Sequence, residues 1–78
     1  MIVSIEHDGA LLCTLHHQPN GNYTAVMMGL DGFRRLFSLN PTDVVTVNDK
    51  RMSYQETKLT YLRKTTVYLL CDSGYESM

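Results

Sequence analysis

The chain has 78 residues, 44% of them hydrophobic, with no tryptophan, two phenylalanines and a formal net charge of −1. That length supports a single small domain with a thin core, of the kind that often gains stability from a second subunit. The near-zero charge argues against a general attraction to nucleic acid or anionic lipid, and no stretch approaches the roughly 18 apolar residues that a membrane helix needs.

Ile2-Val3-Ser4-Ile5 is rich in β-branched residues and reads as a first strand. It runs into Asp8-Gly9, a favoured pair for a two-residue hairpin turn, because both central positions need positive φ. Leu11–Leu15 is the second strand, and Pro19-Asn20-Gly21-Asn22 the second turn. Tyr23–Met28 then completes a three-stranded meander. A two-residue loop at Asn20-Gly21 predicts Leu15 opposite Val26 and Cys13 opposite Met28. Leu11, Cys13, Leu15, Val26 and Met28 would then share one apolar face.

Phe33, Leu36 and Phe37 follow at helical spacing, and Asp31 is placed to cap a short helix over 31–39. A fourth strand there would set Arg35 on the apolar face, so the helix is preferred. Asn40-Pro41-Thr42-Asp43 is a turn, Val44–Val47 a strand, and Asn48-Asp49-Lys50 another turn. Ser53-x-x-Glu56 matches a capping box and opens a second helix over 53–64, in which Leu59 and Leu62 face the core. Thr65–Cys71 is apolar enough for a central strand, and 73–78 reads as a frayed tail. The expected fold is therefore α+β: one compact domain over 1–72, with an antiparallel sheet and one or two short helices. An all-β small barrel is the alternative.

The first ten residues lack a basic leader and a long apolar run, so no export signal is expected. Cys13 and Cys71 then remain free thiols in a reducing compartment, and the expected location is the cytoplasm. Cys13 and His16 have the spacing of a zinc half-site, but on a strand His16 and His17 point to opposite faces, so no metal site is assigned. No nucleophile elbow, cysteine-protease signature or glycine-rich phosphate loop is present. The chain is read as a non-enzyme without a cofactor.

Charge is unevenly spread. Residues 34–64 carry seven basic residues against three acids, between two acidic flanks. Arg34, Arg35, Lys50, Arg51, Lys58, Arg63 and Lys64, with Tyr54 and Tyr61 interleaved, are the candidate binding residues. Five methionines and five tyrosines suit an adaptable protein contact. The reading is a small protein-binding regulator or inhibitor that occupies a partner's surface and self-associates, with another protein as the partner. The alternative is a nucleic-acid-binding module using the basic segment 34–64.

Overall fold

The computed structural model describes residues 2–63, 65–71 and 74–77, with side chains through residue 68. Seven strands form one open sheet: β1 (Ile2–His7), β2 (Ala10–His17), β3 (Tyr23–Met27), β4 (Val44–Val47), β5 (Lys50–Ser53), β6 (Thr66–Cys71) and β7 (Gly74–Ser77). Their order across the sheet is β5-β4-β1-β2-β3-β6-β7. Helix α1 (Gly29–Phe37) follows β3, and α2 (Tyr54–Thr57) follows β5 and continues as a π-helical turn, Lys58–Leu62. The class is α+β and the sheet is not a closed barrel. It is mixed rather than antiparallel, because β3 and β6 run parallel, Ala25 opposite Val67 and Met27 opposite Leu69. A parallel pair needs a long crossover, which here carries α1, β4, β5 and α2.

Two tight hairpins follow from turn chemistry. Asp8 and Gly9 both have positive φ, as do Asn48 and Asp49, so each pair bends the chain within two residues. The second of these hairpins makes β5, where sequence reading saw only a turn leading to a helix. Asn48 also extends the sheet. Its Oδ1 accepts from the Ser4 amide at 3.0 Å, and its own amide donates to the Ser4 carbonyl at 3.1 Å.

The Asn20-Gly21 connection is longer than expected. Pro19 has no N–H to contribute to a ladder, and the chain makes a wider turn in which the Gly21 amide donates to the Gln18 carbonyl at 3.0 Å. Strand pairing resumes only at His17 opposite Tyr23. Leu15 therefore faces Ala25, and Cys13 faces Met27, one residue away from the predicted partners. Such a slip exchanges the two faces of β3. Ala25 and Met27 are buried, and Val26 is not.

A second departure lies in β2. Ile5 pairs with Cys13 but Glu6 with Leu11, so Leu12 is an extra residue on the bulged strand. The bulge turns Leu12 into the core and leaves Leu11 40% exposed, the reverse of simple alternation. At the other end, residues 74–77 form edge strand β7 against β6 where a frayed tail was predicted.

All strand side chains of the core lie on one face. Val3, Ile5, Cys13, Leu15, Ala25, Met27, Val45 and Val47 pack with Leu12, Leu36 and Tyr54 in one buried cluster. Both helices sit over that face, α1 against β2, β3 and β6, and α2 against β4 and β5. The opposite face carries no helix. Pairing sets Ser4, Thr14, Val26 and Tyr68 in one row across it, and Ile2, His16, Thr24 and Thr66 in the next. A third row, at the β5 side, holds Arg51, Thr46, Glu6 and Leu11. The molecule is thus a two-layer slab of 33 × 28 × 19 Å.

Candidate functional site

The most distinctive surface is the outside of α1, and it begins with how the helix is seated. The Met28 amide donates to the Leu12 carbonyl at 2.9 Å, which ties the helix entrance to the β2 bulge. Gly29 follows with φ +69°, a conformation that suits glycine. A Cβ on Gly32 would lie 2.6 Å from the Leu12 carbonyl oxygen, so only glycine allows this close approach of helix and strand. Asp31 does not cap the helix. The N-cap position is Met28, without a side-chain cap bond, and Asp31 lies within the first turn, where its charge favours the helix dipole. It also stands 4.0 Å from the Arg35 guanidinium.

Seating α1 on Gly32 and Leu36 determines what faces outward. At 100° per residue, Phe33, Phe37 and Leu30 follow the buried line around the helix, and Arg34 comes next. The expected face of Phe33, Leu36 and Phe37 is therefore split. Leu36 is buried and Phe33 half-buried, while Phe37 is 45% and Leu30 48% exposed. The Phe33 and Phe37 rings touch, with centroids 4.8 Å apart. The apolar arc of α1 is wider than the sheet can cover, and its uncovered edge is aromatic and bordered by an arginine. Leu30 was absent from the sequence-based candidates. Its signal was the i, i+3, i+7 spacing of Leu30, Phe33 and Phe37 beside Leu36.

The basic candidates are spread over separate elements. Arg34 and Arg35 are exposed on α1, above β2, β3 and β6. Lys50 and Arg51 are exposed on β5, at the far edge beyond β4 and β1. Lys58 is on the π-helical turn and Arg63 in the turn after it, both exposed. Lys64 lies outside the described residues.

The two tyrosines read as aromatic platforms are built into the fold. Tyr54 is 3% exposed and sits under the Lys58 ammonium, 5.6 Å from its ring centre. Burial, together with the nearby Cys13, raises its pKa above the usual phenol range. Tyr61 is half-buried, edge-on to Tyr23 at 5.4 Å, and Tyr23 is edge-on to His17 at 5.1 Å. Beside α2, Pro41, Tyr54, Gln55, Lys58 and Leu59 line a shallow cleft of about 320 Å³.

Cys13 is a free thiol in the core, and burial pushes its pKa up to about 12. A thiol held neutral in this way is a poor nucleophile and a poor metal ligand. His16 is on the open face, 3.0 Å from the Thr14 hydroxyl, so it points away from Cys13. Among the described residues no three His, Cys, Asp or Glu side chains converge as a metal site would require. No helix of the described residues is long and apolar enough to cross a membrane. No family model matches the chain, and neither does any curated protein or solved structure.

Proposed function

We propose that the chain is a non-enzymatic protein-binding regulator or inhibitor, and that it occupies its partner's surface with the outer edge of α1. The observation that supports this is the uncovered apolar arc: Leu30 and Phe37 stand half out of a helix whose other apolar residues are packed. Aromatic rings beside an arginine have the composition of interface anchors, which combine large buried area with a directional polar contact. Arg34 supplies that contact without an acid in ion-pair reach among the described residues. The spread of basic residues over α1, β5 and the turn after α2 disfavours the single phosphate-tracking stripe that nucleic-acid binding would use.

The test is affinity capture from native lysate, with and without nuclease, comparing the wild-type chain with Leu30→Glu, Phe37→Glu and Lys50→Glu. The expected result is a protein retained after nuclease, lost with either α1 variant and kept with Lys50→Glu. Capture that disappears with nuclease, or that depends on Lys50 as much as on Leu30, would contradict the reading.

A further inference from the structure

We infer that the helix-free face of the sheet is the contact between two copies of this chain, giving a symmetric dimer with two sheets packed inside and the helices outside. The inference uses residues separate from α1 and stands independently of the partner reading above. It begins with area. A seven-stranded sheet is covered on one side only, and the slab presents its broad 33 × 28 Å aspect there. The rectangle bounding that aspect is about 900 Å², large enough to accommodate the roughly 800 Å² per partner that a stable interface buries.

Charge then points to the occupant. The chain has fifteen Asp, Glu, Lys and Arg residues, yet two of the three rows of this face, the central one and the one toward the β2–β3 turn, contain none of them across β1, β2, β3 and β6. In the third row, Arg51 lies on edge strand β5 and Glu6 on β1, two residues along the strand from Ser4. The outer side of a solvated strand ordinarily carries Lys and Glu among its threonines. Their absence suits a twofold contact in particular. A residue near the axis meets its own copy, so a charge there meets a like charge. A different partner would impose no such constraint and would more often be recognised by complementary charge.

The remaining side chains suit sheet-on-sheet packing. Ile2 is 60% exposed, and Val26 and Tyr68 add half-buried apolar surface. Thr14, Thr24 and Ser4 are short, lose little side-chain freedom on contact, and leave the face flat. Two such sheets pack about 10 Å apart with strands near −30°. The core of one copy, with eleven buried apolar residues among those described, gains a second layer of burial from this contact.

The mass of the purified chain by sedimentation equilibrium is the direct readout, beside the 8.9 kDa of one copy. The wild-type chain is expected to be dimeric at micromolar concentration. Thr14→Arg, central on the face, and Thr24→Arg, one row toward the β2–β3 turn, should each weaken association by about thirtyfold or more, since each buries an unpaired charge in the contact. Phe37→Glu should leave the mass unchanged. Should either arginine variant fail to fold, isotope-filtered NOEs between labelled and unlabelled wild-type copies, read at the Ile2 and Val26 methyls, report the contact without mutation. A monomeric wild-type chain, a dimer indifferent to both arginine variants, or one lost with Phe37→Glu would overturn the inference. These results concern mass alone, so they remain distinguishable from partner capture through α1.

Discussion

Gly32 shows how one absent side chain sets a whole surface. In an exposed helix, Gly→Ala stabilises by about 1 kcal/mol. At Gly32 the new methyl would meet the Leu12 carbonyl at 2.6 Å, a backbone atom already held by the Met28 amide. Gly32→Ala is therefore expected to destabilise, by roughly 1–3 kcal/mol as overpacking does, in urea unfolding of the purified chain. A stabilised variant would mean that α1 is not seated as described. Cys13 gives a prediction in pH. Its folded pKa of about 12 lies above its ordinary 9.0. The folded thiol stays neutral while the unfolded one ionises. Stability is fully present below pH 9.0 and is lost as the pH rises toward about 12. Tyr54, shifted in the same direction, adds to the loss at the upper end. Unfolding midpoints measured across that range should fall, and Cys13→Ala should fall less.

Among the elements, β2 carries the sharpest contrast. Alternation across the strand predicts Leu11 inward, whereas the bulge sends Leu12 there. Leu12→Ala should cost about 2–5 kcal/mol as a core truncation, and Leu11→Ala below about 1 kcal/mol as a surface change. Equal costs would argue against the bulge. The start of α2 is a smaller case. The Ser53 hydroxyl accepts from the Glu56 amide at 3.2 Å, and Ser53→Ala should cost about 1 kcal/mol. These contrasts also show what was legible in the chain. Asp8-Gly9, Ser53-x-x-Glu56 and the spacing around Leu36 act through neighbouring residues, so sequence alone located the first hairpin, α1 and the start of α2, whereas Leu59, expected in the core, is 60% exposed on the π-helical turn. The register of β3 depended on Pro19, whose missing amide lengthened a loop that Asn20-Gly21 alone would have closed sooner. The β2 bulge and the parallel pairing of β3 with β6 depend on contacts between distant segments, to which local patterns are blind. Tyr54 was legible as an aromatic but not as a core residue, because its burial is imposed by β4 and β5.

For the whole molecule, the arrangement separates two surfaces by chemistry. Both helices close one side of the sheet, and α1 leaves an aromatic edge flanked by Arg34. The other side is broad and uncharged at its centre. A chain this small has little room for an enclosed pocket, and the cleft beside α2 is shallow and lined by a single ammonium. On the proposed function it acts through surface complementarity, and apolar contact rather than net charge should dominate its affinity. The measurement that tests this most directly is the affinity for its captured partner as salt is raised from about 50 to 500 mM. An interface centred on Leu30 and Phe37 should change by less than about threefold, because apolar burial is insensitive to screening. A fall of about a thousandfold or more, the mark of released phosphate counterions, would contradict the account.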